Sequence, residues 1–347
     1  MKFGHLAGPG RLEITERPEP TAGPGEVVVT LAACGVCGTD LEKLRGNYRT
    51  AGVIGHEPVG RVAHVGPGVK NLAPGDRVFV HHHVPCYECE VCARGDMTFC
   101  PTYSKTNIDP GGFAEAFRVP SENVSRGAIL PLDASVDWST GALLEPAGCA
   151  MTAMRRIGLP EGASVFVLGL GPVGLLYARL ARSLGAGWVG GSEIAPLRRA
   201  AAERGGIDET VDPREPEAVR AAVDRATHGR GVDLAVVATG QPSVVRDATT
   251  LVRRGGTVNL FGLPEAGSRL EADLQDLYLR GVRLIPSYAT TEPDIQEVHR
   301  LIVDGELRVA DLVTHRVPLD QLQEAFRLAG RPAEAVKVVV TGPALLG

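Results

Sequence analysis

Cysteine spacing is the first chemical signal in the chain. Cys86, Cys89 and Cys92 follow one another at intervals of three, and Cys100 comes eight positions later. Four thiolates so close in sequence can close around one tetrahedral ion, which describes a structural zinc with no open position. The rival is an iron–sulfur cluster, because Cys100-Pro101 ends like a ferredoxin motif, although there the last gap would be about three residues. The chain has seven cysteines, an odd number that cannot all pair internally, so metal ligation explains them better than disulfides do.

A second set mixes ligand types. Cys37, His56-Glu57 between Gly55 and Pro58, and Glu145-Pro146 offer one thiolate, one imidazole and two carboxylates. A zinc held by three such groups keeps a position for water or substrate, the catalytic type of site. Cys34 and Cys37 also form a CxxC, but without the βαβ setting of a redox pair, so Cys34 is expected as a small buried residue and Cys149 as inert core. The run His81-His82-His83 looks like a ligand set. On a strand its rings would point to alternating faces, so it is expected to be structural.

The third chemical feature is a phosphate cradle. Gly169-Leu170-Gly171-Pro172-Val173-Gly174 directly follows the apolar Val165-Phe166-Val167-Leu168 and opens a helical stretch. The first glycine allows the tight turn, the second admits a pyrophosphate against bare backbone, and the third lets helix and strand pack. The helix N-terminus then presents free N–H groups to the phosphates. Glu193 stands nineteen residues after Gly174, near the expected place of the acid that binds the adenosine ribose hydroxyls. A carboxylate there repels a 2'-phosphate and favours NAD over NADP, while Arg198 and Arg199 just after it could serve such a phosphate.

Positioning these groups takes two kinds of fold. Up to about residue 147 the sequence reads as short β segments punctuated by Gly and Pro. Beyond it, strands expected at Ser164–Leu168, Trp188–Ser192, Glu209–Val211, Asp233–Ala238, Thr257–Phe261 and Leu284–Ser287 alternate with Ala/Arg-rich helical stretches, as in a doubly wound parallel sheet. A helix over Ile295–Val303 and a strand over Val336–Val340 would return to the first part. The expected division is 1–147 with 289–347, carrying a metal lobe at 85–101, and a nucleotide-binding unit at 148–288. With 347 residues, 44% hydrophobic and 22% charged, the chain is an ordinary globular protein. A net charge of -5 without a long basic run gives nucleic acid no electrostatic footing. No signal peptide and no run of about 18 apolar residues is seen, so no membrane partner and a cytoplasmic location are expected.

Together, Cys37-Gly38-Thr39-Asp40, Gly55-His56-Glu57, the four-cysteine loop, Gly111-Gly112-Phe113-Ala114-Glu115 and Gly169 to Gly174, in this order, resemble the zinc-containing medium-chain dehydrogenase/reductase family, nearest its sorbitol and threonine dehydrogenase branches. The resemblance implies an α/β protein with a GroES-like β-rich catalytic domain and a Rossmann domain, two zincs per chain, NAD, and a homodimer or homotetramer. It implies that Cys37 and His56 bind the catalytic zinc, with Glu57 or Glu145 completing the shell. By the same resemblance Thr39 passes on the alcohol proton and Asp40 orients His56. Lys337 contacts the cofactor pyrophosphate. Two departures stand out. Glu42 replaces a relay histidine, and Ser287-Tyr288 stands where sorbitol dehydrogenases carry Arg-Tyr. The implied reaction is hydride transfer between NAD and a secondary alcohol such as a polyol or cyclitol. A threonine-type or general alcohol dehydrogenase is the runner-up, and a nicotinamide-binding protein with only a structural zinc is the reading from another class.

Overall fold

The valine-rich segments that bound the site are buried on both faces, and their neighbours in space explain why. The computed structural model describes residues 1–47 and 54–345. Its first part holds β1 (Lys2–Gly8), β2 (Arg11–Glu16), β3 (Val27–Gly35), β4 (Pro58–Val65), β5 (Arg77–Val80), β6 (Ala116–Val119) and β7 (Ile129–Pro131). Next come β8 (Ser164–Leu168), β9 (Trp188–Ser192), β10 (Glu209–Val211), β11 (Val232–Val237), β12 (Val252–Leu260) and β13 (Arg283–Pro286), and finally β14 (Val313–Pro318) and β15 (Lys337–Thr341).

Strands β8 to β13 form one six-stranded sheet in the order β10-β9-β8-β11-β12-β13, every neighbouring pair parallel. The order reverses between β8 and β11, so a crevice opens at the carboxyl end of β8, where the glycine-rich turn lies. Strands β8, β9 and β10 match the expected ranges. Strand β12 starts five residues earlier than expected, at Val252, because that segment already pairs with Val232 of β11.

The other large sheet runs β14-β15-β3-β4-β5-β7, with β6 also on β3. Strand β15 pairs antiparallel with β3, placing Val340 opposite Cys34 and Val339 opposite Gly35. The carboxyl-terminal strand therefore returns to the first part of the chain and brings Lys337 beside Glu57.

Helix Leu144–Ile157 joins the two halves. Its Ala147, Met151 and Met154 belong to one buried cluster with Ala33, Val59 and Phe79 on one side and Val165, Val167 and Leu234 on the other. The expected division at 147/148 falls inside this helix. The helix expected at Ile295–Val303 begins three residues earlier, at Glu292, since Pro293 is tolerated in a first turn that needs no N–H from it. Among the described residues no helix is long and apolar enough to cross a membrane.

Candidate active site and metal centres

The four-cysteine loop folds on itself through short helical turns at Glu90–Ala93 and Met97–Phe99. Its sulfurs stand 3.5 Å (Cys100 to Cys86), 3.6 Å (Cys89 to Cys92), 3.8 Å (Cys89 to Cys100) and 3.9 Å (Cys86 to Cys92) apart. A tetrahedron with zinc–sulfur bonds of about 2.3 Å has edges of about 3.8 Å, so the set has the size of a single zinc. Such short edges leave no room for the irons and inorganic sulfides of a cluster. The backbone N–H groups of Cys86 and Cys89 point at Cys100 Sγ and Cys86 Sγ, each at 3.4 Å. Burial would raise the Cys100 thiol, but N–H donors from Cys86 and Thr102 bring it down to about 6. The Cys92 thiol is pushed up to about 12 by burial and its neighbouring sulfurs, so it is the compact four-sulfur geometry that suits a metal.

The mixed set is built at the end of β3. Cys37 caps helix Gly38–Arg45, and its N–H donates to Asp40 Oδ2 at 3.1 Å. Asp40, fully buried, also accepts from the Gly55 N–H at 3.2 Å and lies with Oδ1 3.5 Å from His56 Nδ1. One aspartate thus ties the cysteine-bearing turn to the histidine-bearing loop and leaves His56 Nε2 facing inward. There Thr39 Oγ1 lies 3.5 Å from it. Burial would lower the His56 pKa, yet the Asp40 charge raises it well above the usual histidine value.

Ligand atoms of Cys37, His56 and Glu57 lie within 4.8 Å of one another. Glu57 is fully buried, and its carboxylate meets Lys337 Nζ at 2.5 Å, the lysine being 2% exposed. A carboxylate in that position ionises only with a cation in contact. Burial pushes Glu57 upward while Lys337 opposes it, and Glu57 in turn holds Lys337 above its ordinary value against burial. The pair needs Gly35. A Cβ there would sit 1.7 Å from Glu57 Oε2 and 2.9 Å from Lys337 Cε. The resemblance expects Lys337 at the cofactor pyrophosphate, whereas here its ammonium is engaged by Glu57.

Glu145 stands in the first turn of helix Leu144–Ile157, 6% exposed, outside the 4.8 Å group. Its Oε1 accepts from Cys149 Sγ at 3.4 Å. The expectation of a core position for Cys149 is corrected, since it is half-buried one helical turn after Glu145, but burial and the Glu145 charge push its thiol well up, which keeps it inert. Cys34, by contrast, is fully buried in an apolar cluster and donates weakly to Gly35 O. Glu42 lies apart, its carboxylate taken by Arg45 and, at 2.6 Å, by Asn47 Nδ2.

The three histidines follow β5 instead of lying on it, which corrects the strand argument, and each has its own surroundings. His81 reaches Glu292 at 2.6 Å, His83 hydrogen-bonds Thr106 O, and the His82 ring packs 5.1 Å from the His56 ring. They do not converge on one ion. Sequence reasoning missed His82, Gly35 and Cys149 as neighbours of the site. Gly35, a glycine inside a strand, was the one with a readable signal.

At the cradle, Gly169 turns at φ +97 and Gly171 caps helix Pro172–Ser183, with Pro172 in its first turn. A Cβ on Gly174 would lie 2.0 Å from Gly169 O, so the third glycine is required for packing. Glu193 follows β9, 6% exposed, accepting the Ala195 N–H at 2.9 Å. Of the two arginines, Arg199 is bound to Asp212 at 3.1 Å and to Ile194 O at 3.0 Å. Arg198 reaches over the turn, its Nη1 3.5 Å from where a Gly171 Cβ would be and its buried Nε without a partner.

Residues 23–129 match the alcohol dehydrogenase GroES-like domain, and residues 172–304 match the zinc-binding dehydrogenase domain. An L-threonine 3-dehydrogenase from Pyrococcus furiosus is 33% identical over 338 residues, 93% of this chain and 94% of that protein. The chain belongs to the zinc-containing medium-chain dehydrogenase/reductase family. It is an α/β protein of that fold and a zinc-dependent alcohol or polyol dehydrogenase. A sorbitol dehydrogenase from Gallus gallus is 32% identical, covering 97% of this chain and 94% of that one. Among solved structures, a protein described as a zinc-binding dehydrogenase from Sinorhizobium meliloti 1021, bound to NADP, superposes with a TM-score of 0.86 at 29% identity over 98% of both chains.

Proposed function

We propose that this enzyme transfers hydride between a secondary alcohol, of the polyol, cyclitol or related sugar-alcohol class, and NAD. The observation that carries the reading is the compact Cys37, His56 and Glu57 group with the Thr39 hydroxyl beside it. Thiolate, imidazole and carboxylate are the donor set of an open zinc, with Glu145 close enough in the fold to exchange with Glu57. When bound, the zinc supplies Lewis acidity toward the alcohol oxygen and the nicotinamide accepts hydride.

The chain's own residues do the rest. Asp40 holds His56 with Nε2 inward, which fixes the ring that must ligate. The Thr39 hydroxyl takes the proton released from the alcohol and passes it outward. Glu42, engaged with Arg45 and Asn47, stands at the solvent side. Gly169, Gly171, Pro172, Val173 and Gly174 hold the pyrophosphate at the helix N-terminus, Arg198 adds a cation above it, and Glu193 takes the adenosine ribose hydroxyls. Lys337 reaches the pyrophosphate only if Glu57 releases it to the metal. The GroES-like domain takes 1–147 and 289–347, the Rossmann domain 148–288, and the four-cysteine lobe 85–101. The bare edge of β13 and the exposed Leu274, Tyr278 and Leu279 nearby suit a homodimer or homotetramer. We place the enzyme in the cytoplasm.

A threonine-type dehydrogenase is the second reading, favoured by the Pyrococcus relative. It requires a cation for the substrate carboxylate, and Lys337 is already paired. A screen of polyols, inositols, L-threonine and simple secondary alcohols with NAD and NADP separates the readings. Turnover of threonine above every polyol, or a preference for NADP, refutes the first.

A further inference from the structure

The segment that carries the chain from β13 back to the catalytic domain makes its turn at Ala289, a residue with a side chain held at φ +57. A left-handed alanine is strained and persists only where its surroundings enforce it. The enforcing groups form a buried polar cluster centred on Glu292, which is 4% exposed. Its Oε1 accepts from His81 Nδ1 at 2.6 Å, and its Oε2 accepts from the Tyr87 hydroxyl. Beside it the Tyr103 hydroxyl donates to Thr290 O at 2.7 Å and lies 3.4 Å from His81 Nε2.

Tyr87 belongs to the four-cysteine lobe, and Tyr103 packs on it. Tyr87, at φ +62, directly follows Cys86, and Tyr103 packs against Cys92 and Cys100. On its other face the segment is pressed against helix Leu144–Ile157: a Cβ on Gly148 would meet Thr290 Oγ1 at 2.7 Å. Tyr288 stands just before the left-handed turn. Its ring lies 6.3 Å from the Tyr103 ring and 6.3 Å from the Phe99 ring, both on or beside the four-cysteine loop.

We infer that Glu292 is a positioning residue that couples the four-cysteine lobe to the interdomain cleft. Tyr87 holds Glu292, Glu292 holds the returning segment, and that segment packs Thr290 against Gly148 of the helix that carries Glu145. The lobe thereby braces the cleft, and its metal site and the cofactor site share one mechanical joint. Coupling of this kind is reciprocal in binding free energy: a cofactor that orders the cleft must also tighten the lobe. The inference rests on the reading that the cleft takes a nicotinamide cofactor.

The test uses the zinc-loaded protein and a chromogenic chelator, 4-(2-pyridylazo)resorcinol, to follow zinc release with and without saturating NADH. The lobe phase is assigned with Cys37→Ser, which retains only that zinc. NADH is expected to slow the lobe phase about fivefold or more in the parent protein. In Tyr87→Phe and Glu292→Gln the NADH effect is expected to fall below about twofold, and the double variant to lose no more than either single one. A merely structural role would speed release equally with and without NADH, leaving the ratio intact. That result, or additive losses in the double variant, overturns the coupling. If Glu292→Gln does not fold, Tyr87→Phe carries the test, since it removes one hydroxyl from a residue that is 40% exposed. Fluorescence titration with NADH separates the two failures: absence of binding in the parent protein refutes the cofactor reading and the coupling with it, whereas binding without protection refutes the coupling alone.

Discussion

Replacing Lys337 by methionine removes the cation from Glu57 while keeping a side chain of similar length against Gly35. In the metal-free protein this leaves a fully buried carboxylate, previously 2.5 Å from Nζ, with no cation in contact. Its escape is to take a proton. Starting from an ordinary carboxyl value of 4.5, neutralisation at pH 7 costs about 3.4 kcal/mol at about 1.36 kcal/mol per pH unit. This agrees with the roughly 3–5 kcal/mol for breaking a buried pair. The sign follows from linkage. A carboxyl whose folded value is raised far above its unfolded one destabilises the fold above the unfolded value, and the penalty fades as pH falls toward it. Lys337→Met is therefore expected to lose about 3 kcal/mol at pH 7 and under about 1 kcal/mol at pH 5. Urea unfolding of the metal-free proteins at several pH values, compared by midpoints at constant slope, measures this. Adding Glu57→Gln should abolish the pH dependence of the loss, and zinc should shrink the loss by supplying Glu57 with another cation. A loss below about 1 kcal/mol at pH 7, or one that does not change with pH, refutes the reasoning.

Zinc uptake at the Cys37 and His56 site should strengthen with pH. The metal-free site gains stability from protonated His56 beside Asp40, full below pH 6.5 and lost as pH rises through the raised folded value. Zinc needs the unprotonated ring, so chelator competition should show affinity rising about tenfold or more per pH unit from pH 6 to 8. Gly171→Ala should cut NAD affinity at least about tenfold with little change in stability, because a Cβ there meets only Arg198, at 3.5 Å, while the pyrophosphate would lose its approach to bare backbone. Gly174→Ala should instead destabilise the fold, since its Cβ meets backbone at 2.0 Å; calorimetry and NAD titration together distinguish the two variants. Cys37→Ser should lower the zinc content from two to one per chain and abolish turnover with the fold retained, as read by elemental analysis and circular dichroism. One zinc in the parent protein would contradict the two-metal assignment.

Much of this was local and therefore readable from residue order. The four cysteines lie on one loop, so their spacing alone sets the distances among them. The glycine turn, its helix and Glu193 belong to one strand–helix–strand unit whose geometry is repeated wherever the motif occurs. Alternating strands and helices likewise announced the parallel sheet.

What residue order could not supply were contacts between distant segments. Lys337 meets Glu57 only because β15 returns to β3 beside Gly35, where a missing Cβ leaves room for the pair. Glu292 meets His81 and Tyr87 only because the helix after β13 docks on the metal lobe. Cys149 faces the site because it lies one turn from Glu145, and which face of that helix points inward depends on the two sheets it joins. The sequence by itself determined the chemistry available, a four-cysteine zinc loop, a candidate second ligand set and a candidate phosphate cradle. Tertiary structure decided how the buried charges are compensated, because a charge out of water must find its partner in space wherever that partner lies in the chain.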